Sequence, residues 1–261
     1  KRMNELKEYA RRFTPFLLGR LLRTDPRTIP KTITISSEEV SAQLKSVIEK
    51  LNESVRYPVL RDSIKNADEL RHQVRSILFN QVGFELRRAK STVCDGEGIF
   101  LFKGAITSHS LCSLYPGTVY GPGDPILIQS LGNSFILKCR DGQMIDGNDR
   151  RISKSIFKSC AYRDFGHLVC DLSWLDRDPL SFLNQGQYVN DARSVKGNVQ
   201  YIDVDIIDWP IALRRWLPYT TYRPHEGIAG VHDGIPLRVV ALVSTRDIHE
   251  GEELLSDYLS C

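Results

Sequence analysis

Residues 248–258 read Ile248-His249-Glu250-Gly251-Glu252-Glu253-Leu254-Leu255-Ser256-Asp257-Tyr258. Gly251 supplies a turn, the Leu254-Leu255 pair opens a short strand, and Tyr258 ends it with an aromatic ring that carries a polar tip. Read alone, the tyrosine is a half-buried ring with a satisfied hydroxyl. The stretch gains weight from what lies upstream. From Gly83 onward, short runs rich in Ile, Val, Phe and Leu alternate with Gly, Pro and Asp turns. They predict strands at 84–88, 99–102, 117–120, 126–129, 135–139, 143–145, 199–204 and 237–243, and a last one at 253–256. Asp141-Gly142 between two of these runs is a hairpin signal. No β-α-β alternation is present, which argues against a dinucleotide-binding fold.

Before Gly83 the period changes to that of helices. Leu6, Tyr9, Ala10, Phe13 and Leu17 recur at helical spacing, and Thr14-Pro15 marks a restart. Ser36 and Glu39 have the form of a capping box ahead of a stripe formed by Val40, Leu44, Val47, Ile48 and Leu51. A further helix fits 66–82, with Leu70, Val74, Ile77 and Leu78 on one face and Gly83 as its left-handed cap. The fold class is therefore α+β. A helical region over 1–82 precedes a β-rich domain over 83–261, with polar, irregular insertions around 148–186 and 208–236.

The chain of 261 residues, 41% hydrophobic and 26% charged, has the mix of a globular protein large enough to fold without staples. No apolar run approaches the ~20 residues of a membrane helix, and none reads as a secretory signal. The net charge of +3 is too small to point to nucleic acid. Residues 1–31 hold nine basic and three acidic residues, so a contact with RNA or anionic lipid through this start is weighed against a solvated helix face, and the solvated face is preferred. Glu5 and Glu8 argue against a mitochondrial presequence. The cysteines at 94, 112, 139, 160, 170 and 261 form no C-x-x-C pair, so no structural zinc is expected. With nothing to mark it as secreted, the chain is expected to be intracellular with reduced thiols, nuclear or cytoplasmic, with the mitochondrion left open. The spacing of His225 and His232 does not suit a metal.

Two further patches carry chemistry. In Asp95-Gly96-Glu97-Gly98-Ile99-Phe100 the glycines serve either a tight hairpin or a backbone brought close to a ligand. In Gly186-Gln187-Tyr188-Val189-Asn190-Asp191-Ala192 the Asn-Asp pair either pins a turn or binds a ligand. Their order, together with Leu114-Tyr115-Pro116-Gly117-Thr118-Val119-Tyr120 and the closing Gly-Glu-Glu-Leu block, resembles the SET domain of protein lysine methyltransferases over about residues 83–261.

The resemblance implies that Gly96, Glu97 and Gly98 offer backbone groups to S-adenosyl-L-methionine. It also implies that Asn190 and Asp191 stand where the family's Asn-His pair holds the same cofactor. Tyr258 matches the family's C-terminal tyrosine at the methyl-transfer channel, and Tyr115 matches a tyrosine that lines it. The implied fold passes its last segment through the loop around the Asn-His pair as a pseudoknot, and the implied partner is a lysine-containing segment of a protein. Methyl transfer to a neutral amine needs in-line positioning and no metal. Three departures stand out: Asp191 replaces histidine, Gln187-Tyr188-Val189 replaces Arg-Phe-Ile, and only Asn198 remains of the run that follows. They motivate a second reading, a catalytically weakened SET-like domain that acts as a protein-interaction module.

Overall fold

The computed structural model describes residues 35–55, 67–163, 170–192, 195–206, 209–223 and 237–257. The amphipathic run at 6–17, the pair His225 and His232, and Tyr258 lie outside these residues. Helix α1 (Ser37–Ser54) begins with the expected capping box. Ser36 Oγ accepts from the Glu39 N–H at 3.2 Å, and Glu39 accepts from the Ser36 N–H at 2.8 Å. Helix α2 (Ala67–Val82) ends at Gly83, whose φ of +77° supplies the left-handed cap. Val40, Leu44, Ile48 and Leu51 from α1 and Val74 and Leu78 from α2 enter the same apolar core as the strands. Gln43 reinforces that docking: its amide donates to the His109 carbonyl at 3.1 Å and accepts from the Leu111 N–H at 2.8 Å.

The strands form three sheets. β1 (Phe84–Lys90) pairs antiparallel with β2 (Glu97–Gly104). The central sheet contains β3 (Leu111–Leu114), β7 (Asn190–Asp191), β8 (Val199–Ile206), β10 (Leu237–Ser244) and β11 (Leu255–Ser256), in the order β3-β10-β8-β11-β7. The third sheet contains β4 (Gly117–Tyr120), β5 (Ile136–Lys138), β6 (Met144–Asp146) and β9 (Tyr219–Thr221), in the order β5-β6-β4-β9. Asp141-Gly142 turns β5 into β6 as the dipeptide predicts, with Gly142 at φ +88°. Residues 239–243 of β10 are each no more than 2% exposed. That burial explains their continuous apolar run, which a strand wet on one face would lack.

Two expectations fail. Residues 126–129 are not a strand: helix α3 (Leu127–Ser130) takes their place, closed by Ser130 N–H donating to the Ile126 carbonyl at 2.9 Å. Ile126 is buried, but the consecutive Leu127 and Ile128 are 52% and 66% exposed. The run therefore lacks the alternation of a half-buried strand and has no ladder to join. The stretch 148–186 is not irregular throughout, because helix α4 (Arg151–Arg163) occupies much of it. Its buried face is Ser153, Phe157, Cys160 and Ala161, and three of these side chains are too small or too polar to show as an apolar stripe. In the region of the second insertion, α5 (Ile211–Arg214) leads to β9, which pairs parallel with β4.

The feature that shapes the site is the placement of β11. It lies between β7 and β8, which follow one another in sequence, and runs parallel to both. The closing segment is thus inserted between consecutive strands, as a pseudoknot requires. Asn198 locks it. Its amide donates to the Glu253 carbonyl at 2.8 Å and accepts from the Leu255 N–H at 2.8 Å, and the residue is only 3% exposed. Asn198→Ala strands a buried donor and a buried acceptor and is expected to cost about 2–4 kcal/mol in urea denaturation. A loss under about 0.5 kcal/mol would show that the lock is unimportant.

Candidate active site

The β1–β2 hairpin turns through residues 91–96, closed by Ser91 N–H donating to the Gly96 carbonyl at 2.9 Å. The two glycines have different jobs. A Cβ on Gly98 would lie 2.1 Å from Glu253 Oε1 and 3.1 Å from Asn190 Nδ2, so only glycine admits those two side chains. Gly96 is exposed on the turn, and of the neighbouring atoms only Cys94 Sγ lies close to where its Cβ would be, at 3.2 Å. Asn190 donates through Nδ2 to the Glu97 carbonyl at 3.0 Å and to Glu253 Oε1 at 3.1 Å. Glu97, Gly98 and Asn190 therefore meet at one place, joined by Glu253 from the closing segment. Asp191 follows in β7, paired with Ser256.

The Glu253 carboxylate is enclosed by donors. Ser91 Oγ lies at 2.7 Å, Thr92 N at 2.8 Å and Thr92 Oγ1 at 2.6 Å. Burial alone would raise its pKa, but the Thr92, Ser91 and Asn190 donors together outweigh burial and hold the carboxyl below its ordinary range. The Glu97 side chain turns away to Arg88, whose Nε lies at 2.8 Å, and to Arg177 at 2.8 Å. Arg88 stacks 3.4 Å above the Tyr188 ring and also faces Asp149 at 3.7 Å. Tyr188 donates its hydroxyl to Asp149 at 2.6 Å. Burial and the facing carboxylate both push its phenol above the usual range.

Tyr115 belongs to a second cluster beyond the 186–190 segment. Its hydroxyl donates to the Phe135 carbonyl at 2.8 Å, and its ring meets Tyr201 edge-on with centroids 5.9 Å apart. Phe135 in turn meets Tyr188 edge-on at 5.5 Å, which links the two clusters. Gly147 completes the fit: a Cβ there would stand 2.8 Å from Tyr115 Cε1 and 3.1 Å from Gln187 Cβ. Tyr201 also lines a small open cleft, together with Leu137, Lys138, Cys139, Arg140, Asp203 and Val240. Asp203 is not a bare charge there, because Arg238 bonds it at 3.1 Å and Arg140 lies 3.8 Å away.

The chain is 35% identical to human SET domain-containing protein 9, in an alignment that covers 97% of this chain and 94% of that protein. The Pongo abelii protein of the same name is 41% identical, over 73% of this chain and 71% of its own length.

The chain belongs to the SET domain-containing protein 9 family.

It is thus a SET-domain chain, of the methyltransferase class. No family model matches the chain. Among solved structures, CpSET8 from Cryptosporidium aligns over 97% of this chain and 96% of its own at 14% identity, with a TM-score of 0.34.

Sequence reasoning missed Glu253 and Tyr201 as members of the site, and it recognised Asn198 as a remnant of the family's run without seeing that it locks the closing segment. Glu253 stands in plain view in the closing block, but nothing in sequence separates it from its neighbour Glu252, which pairs on the surface with Arg246. Tyr258 lies just past the described segment that ends at 257, and Asp257 is the point from which the chain reaches it. Thiol labelling checks the packing around the site. Burial pushes the Cys112 and Cys139 thiols up to about 12, whereas Cys94 is exposed on the glycine turn. At pH 8 an alkylating reagent is expected to label Cys94 in the native protein and spare Cys112 and Cys139, read by peptide mass spectrometry. Equal labelling of all three would contradict the packing.

Proposed function

We propose that this protein transfers a methyl group from S-adenosyl-L-methionine to the side-chain amine of a lysine in a protein segment. The observation that carries the reading is the meeting of Gly98, Asn190 and the closing segment at one point. The residues present fit the cofactor. It is cationic at its sulfonium and its amino group, and Asn190, whose nitrogen is taken up by the Glu97 carbonyl and Glu253, keeps its side-chain oxygen to accept from that amino group. When bound, the cofactor supplies an electrophilic methyl group.

The protein's own residues do the rest. Asn190, held by its bonds to Glu97 and Glu253, fixes one end of the site. The lysine stem is assigned to the cleft where Tyr201 stands with Leu137 and Val240, and Tyr115 supports the Tyr201 ring edge-on from behind. A free lysine titrates near ~10.4 and must lose its proton to act as nucleophile. Apolar enclosure lowers that value, and Asp203, already neutralised by Arg238 and Arg140, opposes this little. The ring faces stabilise positive charge as it moves from sulfur to nitrogen. The Tyr258 hydroxyl is assigned to holding methyl and amine in line.

Tyr258→Phe is expected to lower the transfer rate on the order of a hundredfold, with cofactor affinity within about twofold of the parent. The assay is labelled-methyl transfer to a lysine peptide array. A variant that works at the parent rate removes Tyr258 from the chemistry. Asp191 in place of histidine favours a second reading, the interaction module without turnover. The absence of both calorimetric heat and thermal shift at millimolar cofactor would decide for that reading.

A further inference from the structure

Glu253 sits too deep to be a surface charge and makes too many directed contacts to be filler. It is 7% exposed, and its two oxygens accept four hydrogen bonds, from Ser91 Oγ, Thr92 N, Thr92 Oγ1 and Asn190 Nδ2. The other bond from Asn190 Nδ2 goes to the Glu97 carbonyl. Both partners of that nitrogen are pure acceptors: a carboxylate oxygen held ionised by its donors, and a peptide carbonyl. An amide turned the other way would set oxygen against oxygen at both contacts. The orientation of Asn190 is therefore determined by chemistry, with nitrogen inward and Oδ1 turned away from Glu97 and Glu253.

We infer that Glu253 is a positioning residue that locks the Asn190 amide so that it presents a hydrogen-bond acceptor, never a donor, to the ligand. Such a site selects a ligand group that bears N–H, a primary ammonium above all, and disfavours a carboxylate at the same spot. Gly98 is part of the device, because any side chain there would displace the Glu253 carboxylate. The inference rests on Asn190 facing the methyl donor, as proposed above.

Glu253→Gln separates positioning from folding. The amide oxygen introduced by this substitution must stay with the Thr92 N–H, which can only donate, so the new NH₂ faces Ser91 and Asn190. The Ser91 hydroxyl can rotate and accept, whereas the Asn190 amide meets a donor and loses its anchor. The full chain is titrated with S-adenosyl-L-methionine as parent, Glu253→Gln, Asn190→Ala and the double variant. The expected result is about tenfold weaker binding for Glu253→Gln in the parent background and less than about twofold further loss once Asn190 is gone. A second readout needs no cofactor: the Asn190 side-chain amide pair in a ¹H–¹⁵N spectrum, assigned by its disappearance in Asn190→Ala. Slow solvent exchange of that pair in the parent, lost in Glu253→Gln, supports the lock. The same binding loss in both backgrounds, or an amide pair unchanged by Glu253→Gln, overturns it. A parent that binds no cofactor refutes the proposed function instead and leaves the amide readout to judge the lock.

Discussion

Strand β11 contributes two residues to a five-stranded sheet, yet the bonds around it tie together every part of the candidate site. On one side it pairs with β7, the strand that carries Asn190 and Asp191. On the other it meets β8, the strand that carries Tyr201. Just before it, Glu253 reaches the turn of the β1–β2 hairpin. Leu101 N–H donates to the Glu252 carbonyl and Leu254 N–H donates to the Ile99 carbonyl, so β2 is laced to the same segment. Without this strand the glycine turn and Asn190 would lose their common support, although each belongs to a well-packed element.

The charges near this junction are arranged in the same spirit. Arg88 has a nearly buried side chain, 7% exposed, set between the carboxylates of Glu97 and Asp149 and over the Tyr188 ring. A buried charge of this kind is costly to desolvate and adds little net stability. Its effect is to fix geometry: it holds the hairpin, the segment that precedes Asn190 and the entry to α4 in one arrangement. Tyr188 supplies the hydroxyl that makes Asp149 a member of this set.

Much of this was legible in the residues, and the parts that were not share a physical cause. The capping box at Ser36, the cap at Gly83 and the Asp141-Gly142 hairpin are local: a few neighbouring residues determine them, so a short window of sequence suffices. Helix α4 was missed because it buries serine, cysteine and alanine beside one phenylalanine, which a search for apolar periodicity passes over. Residues 126–129 looked like a strand by composition alone, and only the lack of a ladder partner shows otherwise. In the site, the glycine turn and Asn190 were recognisable as patches. That Gly98 is glycine because a carboxylate from residue 253 needs its space could not be seen without the fold. Asn198 is similar: its side chain has a partner fifty-five residues away.

The insertion of β11 between two earlier strands also constrains the route by which the molecule is made. The bond between Ser91 and Glu253 joins residues 162 positions apart, and the entropy of closing so long a loop must be met before the contact returns anything. The helices and the β8–β10 pair can gain their stability earlier, from shorter-range packing. Completion of the candidate site is then the late step, separate in time from the collapse that hides most of the apolar surface.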